Sequence, residues 1–141
     1  DEHRNRFERG DFLVRNLVGA DQTTGAVAIG DVVQEGQTVQ FHLRDAKSAS
    51  EDLHLLLAAD RSRHPNAPLG ALVFSCCGRG QGLFGRPHHD SGVLTERLGQ
   101  IPVAGFFAQG EIGPVGGRNF LHGYTASMAL FAQPTSKAGA Q

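Results

Sequence analysis

The chain has 141 residues, a formal net charge of −1, and 40% hydrophobic and 19% charged residues. This composition suits one globular domain with its own core, and the near-neutral charge gives no electrostatic reason to expect a nucleic acid or an anionic membrane as partner. No apolar run approaches the roughly 20 residues that span a bilayer. Cys76 and Cys77 are the only cysteines. Because a disulfide between neighbours is strained, we expect reduced thiols and a cytoplasmic protein.

The first third of the chain predicts three strands. Residues 1–10 are a polar lead-in without the apolar region of a signal peptide, and the missing initiator Met is expected of a chain cut from a longer protein. Residues 12–18 and 26–29 are apolar and β-branched, whereas residues 39–44 alternate apolar and polar side chains. Turn-forming residues separate the three strands, so we expect an antiparallel meander.

A helix is predicted next, because the hydrophobic period changes after residue 47. Ser48 and Glu51 fit a capping box, and the leucines that follow lie at helical spacing on one face. The helix is expected to end near Asp60, since residues 61–68 form a loop that contains two prolines.

The rest of the chain alternates strands with glycine-rich segments. We expect a second helix, capped by Asp90 or Ser91 and ended by Gly99. The other predicted elements are strands at 70–74, 103–107 and 124–131, glycine-rich loops at 75–85 and 110–119, and a flexible tail at 132–141.

The predicted order is β-β-β-α-β-α-β-β. The β-α-β unit around the first glycine loop implies one parallel crossover, and the remaining strand pairs are expected to be antiparallel. We therefore predict an α+β fold: a single domain over residues 11–131 with a mixed, mostly antiparallel sheet and two helices.

Residues 80–85 match the pattern G-x-G-x-x-G after a predicted strand. In a dinucleotide-binding fingerprint the helix opens at once, so that its N-terminus faces the pyrophosphate, and an acidic residue follows on the next strand. Here Pro87 intervenes and no acidic residue stands at that distance. No G-K-[ST] follows, which excludes a P-loop. The alternatives are a tight loop shaped for packing and a loop shaped for a smaller ligand.

The two cysteines allow a structural and a chemical interpretation. Cys76 and Cys77 can be small buried hydrophobic residues. One of them could act as a nucleophile if the fold brought His88, His89 or His122 close enough to serve as its base. Adjacent Cys-Cys and His-His pairs do not have the ligand spacing of a zinc site, so we expect neither a metal nor a cofactor.

Charged residues in and beside the glycine loops predict a site that binds both a negative and a positive group of a ligand. Arg79, Arg86 and Arg118 could bind a carboxylate through a bidentate fork, and Glu111 could bind an ammonium group. A pocket that contained both would suit an amino acid. The alternative is that Glu111 pairs with an arginine and only joins the two loops.

Several segments together resemble the C-terminal domain of FIST proteins. They are residues 10–16, 39–45, 74–80, 105–114 (which contains the specific run GEIGP) and 119–123. The resemblance extends from about residue 7 to residue 131. It implies intracellular sensing and signal transduction through small ligands such as amino acids, with no catalytic residues to carry over. It also implies, as partners, the N-terminal FIST domain of the parent chain and a signalling protein. Relatives joined to an F-box use the domain to recruit substrates.

The leading hypothesis is a cytoplasmic sensory domain that binds an amino acid or another small carboxylate and is not an enzyme. It requires both glycine loops to line one cavity. The predicted ligand contacts are Cys76, Gly78, Arg79, Gly80, Glu111, Gly113, Arg118, Asn119 and His122.

Two alternative functions stay open. A protein-interaction module would expose an apolar patch, and a thiol-dependent enzyme would place an accessible cysteine beside a histidine. The apolar candidates for such a patch are Leu83, Phe84, Phe106, Phe107 and Phe120.

Overall fold

The computed structural model describes residues 6–133. The helices are α1 (Ala46–Arg63), α2 (Gln81–Phe84) and α3 (His89–Leu98), and a 3-10 turn covers Cys77–Arg79. The strands are β1 (Leu17–Ala20), β2 (Val27–Ile29), β3 (Gly70–Cys76), β4 (Val103–Ala108), β5 (Glu111–Val115), β6 (Arg118–His122) and β7 (Ala126–Phe131). The predicted α+β fold is confirmed.

A three-stranded sheet in the order β4-β3-β7 organises the domain. β3 lies in the middle, parallel to β4 and antiparallel to β7. The chain leaves β3, forms α2 and α3, and returns as β4, so the predicted parallel crossover is present. The other strands form two separate antiparallel pairs, β1 with β2 and β5 with β6.

Two helices cover one face of this sheet. Val73 of β3 packs with Leu53 of α1 and Leu94 of α3, and Leu94 is fully buried. Burial of such a side chain stabilises the fold by about 1.5–3 kcal/mol. The complete buried cluster is Leu53, Leu57, Ala71, Val73, Val93, Leu94 and Leu98.

The opposite face of the sheet is largely open. Successive strand residues point to opposite faces, so Phe74 points away from the helices. Its register partner on β4 is Phe106, and the two rings meet edge to face with 5.1 Å between their centroids. Phe106 nevertheless remains 65% exposed. On the β7 side, Ser127 donates a hydrogen bond of 2.8 Å to the carbonyl of Ile112, which attaches the β5–β6 hairpin to the sheet.

The predicted third strand at residues 39–44 does not form, and this prediction was wrong. Val39, Phe41 and Leu43 are 61%, 76% and 95% exposed. An alternating pattern indicates which face would be buried if a neighbouring strand were available, and in residues 6–133 no strand pairs with this segment. The meander is therefore reduced to the short pair β1–β2.

The predicted second glycine loop, residues 110–119, is mostly a β-hairpin. β5 and β6 enclose a two-residue turn, Gly116 and Gly117, with φ values of 57° and 80°. A two-residue hairpin turn with positive φ at both positions matches the twist of the flanking strands, and glycine adopts it without steric cost.

The helix ends differ in detail from the prediction. Asp45 caps α1 by accepting the amide of Ser48 at 2.9 Å, so Ser48 is not the cap, and α1 continues to Arg63. α3 begins at His89, which places Asp90 in its first turn instead of at its cap. Gly99 ends α3 as predicted, with φ of 88°.

The predicted domain limits stay predictions. Residues 1–5 of the expected lead-in (1–10) and residues 134–141 of the expected tail (132–141) lie outside the described residues.

Candidate functional site

The segment after β3 is compact. Cys77–Arg79 forms the 3-10 turn, Gln81–Phe84 forms α2, and Gly85 ends α2 with φ of 67°. This segment, residues 77–85, therefore does not form an open phosphate-binding loop. It wraps the end of the central strand and brings Arg79 under the first turn of α3.

Asp90 is the centre of a buried polar cluster at this point. Its carboxylate accepts hydrogen bonds from Nε and Nη2 of Arg79, both at 2.9 Å, and from Oγ of Ser75 at 2.8 Å. The ring of His89 lies 2.9 Å from the same carboxylate through Nδ1 and 3.0 Å from Oγ of Ser50 through Nε2. Arg79 and Asp90 are each 7% exposed.

The environment of Asp90 favours the ionised carboxylate. Burial by itself raises the pKa of a carboxyl group, but the hydrogen bonds and charge of Arg79, together with the hydrogen bond from His89, outweigh it and lower the pKa of Asp90. The ring of Phe84 stacks on His89 at 3.5 Å between centroids and fixes its orientation. The guanidinium of Arg79 is thus used internally, and the cluster joins β3, residues 77–85 and α3.

Glu111, the first residue of β5, is buried with incomplete hydrogen bonding. It is 2% exposed. Its Oε2 accepts from Oγ1 of Thr125 at 2.9 Å and from the amide of Thr125 at 3.4 Å, but Oε1 is buried with no hydrogen-bond partner. An unsatisfied buried acceptor costs about 1–3 kcal/mol, and more when it is charged.

A cavity of about 320 Å³ adjoins Glu111 on the open face of the sheet. Such a volume lies at the small end of the range of about 300–1,000 Å³ for ligand pockets. The lining residues are Phe74, Phe106, Ala108, Gly110, Glu111, Ile112 and Ser127. The walls are apolar apart from Glu111 and Ser127, so one buried carboxylate dominates the electrostatics of the cavity.

Thr125 links this cavity to the end of β3. Its carbonyl accepts the amide of Cys76 at 2.9 Å, while its side chain donates to Glu111. The preceding residue, Tyr124, has φ of 64°, which is uncommon for a residue other than glycine. The guanidinium carbon of Arg44 lies over the ring of Tyr124, 4.4 Å from its centroid. Arg44 also donates a hydrogen bond of 3.0 Å to the carbonyl of Gly78.

A second cavity of about 260 Å³ lies beside the start of α3. Its lining residues are Arg86, Pro87, His88, His89, Gly92, Val93 and Glu96. In it, His89 is already engaged with Asp90 and Ser50. The two cavities share no lining residue.

The predicted ligand contacts fall into two groups. Cys76, Gly78, Arg79 and Gly80 lie at the end of β3 and in the turn after it, whereas Glu111, Gly113, Arg118, Asn119 and His122 lie on the β5–β6 hairpin. Of these nine residues, Glu111 alone lines either of the two cavities. No residue of the first glycine loop, 75–85, lines either of these two cavities, so the predicted cavity between the two glycine loops is not among them. Whether the nine residues bind a ligand stays a prediction.

The hairpin register separates Glu111 from Arg118. Glu111 pairs with His122 at one end of the hairpin, and Val115 pairs with Arg118 at the other. Four residues of antiparallel strand span about 13 Å. His122 is engaged nearer the base, since its Nε2 lies 2.9 Å from the carbonyl oxygen of Gly113. Neither Arg79 nor Arg118 forms an ion pair with Glu111, so the alternative of a Glu111–arginine pair is not what the structure shows.

Sequence reasoning missed the aromatic part of the Glu111 cavity. Phe74, Phe106 and Ser127 share the open face of the sheet and lie opposite one another in register. Residues 70–74 and 103–107 are nearly continuous apolar runs, and such a run does not tell which face of a sheet the helices cover.

The cysteines have different surroundings. Cys76 is buried and Cys77 is exposed, and within residues 6–133 neither thiol is hydrogen-bonded to a histidine. In the described part of the chain no group of three His, Cys, Asp or Glu side chains could hold a metal ion. Nor does any helix there have the length and apolar character needed to cross a membrane.

Comparison with known proteins gives a consistent result. The "Uncharacterized protein Rv0628c" of Mycobacterium tuberculosis is 55% identical over 131 residues, which is 93% of this chain and 34% of that protein. The "Uncharacterized protein Mb0898c" of Mycobacterium bovis is 53% identical over the same length. An Arabidopsis thaliana protein named "F-box/LRR-repeat protein At5g63520" is 31% identical over 105 residues, 72% of this chain and 20% of that protein.

The chain thus spans about a third, 34%, of the length of its mycobacterial relatives. The family model of the FIST C domain matches residues 3–114. That match covers most of the chain and includes β3, residues 77–85 and Glu111. The resemblance found in the sequence is confirmed: the chain belongs to the FIST C domain family.

Proposed function

We propose that this chain is a cytoplasmic sensory domain that binds a small ligand with an amino group, such as an amino acid, and contributes to signal transduction. Its family is related to signal transduction, which supports the second part of the proposal. The Glu111 cavity supports the first part.

The observation that carries the proposal is the free oxygen of Glu111. The fold buries Oε1 without a hydrogen-bond donor, in a residue that lines a cavity of about 320 Å³. A ligand ammonium or amide group would supply the missing donor, and a charge-assisted hydrogen bond is about twice as strong as a neutral one. Ligand binding would then offset the free-energy cost of the unpaired oxygen.

Binding rather than catalysis is the proposed activity. A cysteine nucleophile needs a base within hydrogen-bond reach. The ring nitrogens of His89 are engaged with Asp90 and Ser50, and Nε2 of His122 faces the carbonyl oxygen of Gly113. These engagements support a structural role for both histidines.

A thermal-shift screen with small amino acids and amines tests the proposal. A ligand at 100 times its Kd stabilises the fold by about 2.7 kcal/mol, which is a readable rise in Tm. We expect at least one compound to raise the Tm of the wild-type domain and of Glu35→Gln, an exposed control, but not that of Glu111→Gln. An unchanged Tm across the whole panel, or equal shifts in Glu111→Gln, would contradict the proposal.

A second candidate function is protein interaction. Phe106 and Phe107 are 65% and 61% exposed on adjacent positions of β4, which is an edge strand of the sheet. Two of the five residues predicted for an apolar patch are therefore largely exposed, one on each face of this edge strand. The F-box named in the Arabidopsis relative also favours this candidate. The proposed partner is the remaining part of the parent chain, its N-terminal FIST domain.

Calorimetry separates this candidate from ligand sensing. The domain is titrated with the separately expressed remainder of the Mycobacterium tuberculosis relative, of which this chain matches 34%. The interaction hypothesis expects saturable binding that Phe107→Ser weakens and Glu35→Gln leaves unchanged. Absence of heat exchange in both directions of titration would count against it.

A further inference from the structure

We infer that the Glu111 cavity selects an organic cation, a primary ammonium group on a short apolar chain, in preference to an intact amino acid. The inference rests on the proposed function of this cavity as a small-molecule site. It states that the cavity recognises the ammonium group of a ligand and not its carboxylate. The argument depends on the distribution of charge around Glu111.

The negative charge of Glu111 has no positive partner in the described residues. Of its two oxygens, Oε2 is bonded to Thr125, and Oε1 has no hydrogen-bond partner. Thr125 is a neutral donor, so it offsets only part of the cost of burying a carboxylate. An ammonium group brings both the charge and the hydrogen atoms that the site lacks.

The lining offers no cationic group for a ligand carboxylate. No arginine, lysine or histidine lines the cavity. Ser127 is the other polar side chain there, and its hydroxyl hydrogen is donated to the carbonyl of Ile112 at 2.8 Å. A bound carboxylate would thus meet the like charge of Glu111 without a compensating side chain.

The three arginines considered as carboxylate receptors lie elsewhere, and Arg86 lines the second cavity. Arg79 donates two hydrogen bonds to Asp90 on the helix-covered side of the sheet. Arg118 lies at the opposite end of the hairpin from Glu111, and its guanidinium lies 5.7 Å from the ring of Phe120. The zwitterion receptor predicted from sequence is therefore divided, and of its charged residues only Glu111 lines the cavity.

The apolar side chains that line the cavity determine which chemical group can accompany the ammonium group in a ligand. The edge-to-face rings of Phe74 and Phe106 and the side chain of Ile112 line the cavity. Aromatic faces attract a nearby cation, and all three side chains favour contact with a hydrocarbon chain. A cavity of about 320 Å³ suits a branched amine of a few carbon atoms.

Three compounds of matched shape test the inference by calorimetry on the wild-type domain. They are 3-methylbutylamine (ammonium only), leucine (ammonium and carboxylate) and 4-methylpentanoic acid (carboxylate only). We expect the amine to bind at least about tenfold more tightly than leucine, and the acid not to bind, because charge complementarity at a buried group is worth at least that factor.

Variants locate the binding. Glu111→Gln keeps the shape of the side chain and removes its charge, and it should weaken binding of the amine by about tenfold or more. Phe106→Ala should weaken it less, and Glu35→Gln should leave it unchanged. If Glu111→Gln does not fold, as judged by circular dichroism, the wild-type comparison of the three compounds decides alone.

The outcomes separate this inference from the proposed function. Tighter binding of leucine than of the amine, or binding of the acid, would overturn the cation preference while supporting a small-ligand site. Binding of the amine that persists unchanged in Glu111→Gln would also overturn it, because the ligand would then bind elsewhere. Absence of binding by all three compounds would overturn the inference and would count against the proposed function as well.

Discussion

The carboxylate of Asp90 accepts two parallel hydrogen bonds from Arg79, one from Nε and one from Nη2, each 2.9 Å long. The two residues belong to different elements, since Arg79 ends the 3-10 turn after β3 and Asp90 lies in the first turn of α3. A bidentate pair fixes orientation as well as distance. The pair thereby holds α3 in position over the central strand.

Substitution of Asp90 should destabilise the domain strongly. Asp90→Asn removes the charge that compensates buried Arg79, and loss of one partner of a buried pair costs about 3–5 kcal/mol. Urea denaturation measures the free energy of unfolding. The matched control is Asp31→Asn, which breaks an exposed pair with Arg15 and should cost much less. Equal losses in the two variants would show that the Arg79–Asp90 pair has no special structural role.

Acid should remove the contribution of Asp90 to stability. The folded domain lowers the pKa of Asp90, so the ionised form stabilises the fold above the ordinary pKa of about 4, and this stabilisation is lost as the pH falls through the lower folded value. The difference in unfolding free energy between wild type and Asp90→Asn should therefore be constant near neutral pH and shrink below about pH 4. A difference that stays constant or grows in acid would contradict this assignment.

Gly105 should not tolerate a side chain. It lies opposite Val73 in the parallel β3–β4 pair, and a Cβ atom there would overlap the carbonyl oxygen of Val73 and lie 2.7 Å from its carbonyl carbon. Because the obstacle is backbone, the strands must separate, and we expect Gly105→Ala to cost more than about 3 kcal/mol or to prevent folding.

Gly92→Ala is the matched control for this substitution. Gly92 lies within α3, with nothing within 4 Å of a Cβ atom built there. Alanine in a helix interior is favoured over glycine by about 0.5–1 kcal/mol, so this variant should be more stable than wild type in the same urea experiment. If the free energy of unfolding of Gly105→Ala equalled that of wild type, β3 and β4 would lie farther apart than described.

The two cysteines should react at different rates. Cys77 is exposed, whereas Cys76, the last residue of β3, is buried. Iodoacetamide at neutral pH should modify Cys77 alone in the folded domain and both residues in urea, as mass spectrometry of peptides can show. Cys77→Ser should abolish labelling of the folded protein. Labelling of Cys76 under native conditions would indicate that the end of β3 opens.

Much of the central architecture could be predicted because its signals are local. The apolar run of β3, the helical leucine spacing of α1 and the glycine that ends α3 each depend on neighbouring residues. The hairpin β5–β6 was also locally encoded, in the pair Gly116 and Gly117, but the glycines around it favoured a loop interpretation.

The site was less accessible to sequence reasoning because its contacts are non-local. Asp90 near a predicted helix start has the pattern of an N-cap, yet its partner is Arg79, eleven residues earlier. Glu111 depends in the same way on Thr125, fourteen residues later. Spacing alone contains no information on such pairs, so Glu111 was identified as a candidate while its surroundings were not.

The residues before α1 are joined to the rest of the domain in a distinct manner. The buried apolar cluster lies entirely between Leu53 and Leu98. The earlier residues reach the body of the domain through guanidinium groups: Arg9 to Asp52, Arg15 to the carbonyl of Leu121, and Arg44 to the carbonyl of Gly78. Attachment at separate polar points, unlike adhesion along an apolar surface, can be undone one point at a time. We therefore expect the residues before α1 to open more readily than β3, α1 and α3, which share the buried cluster.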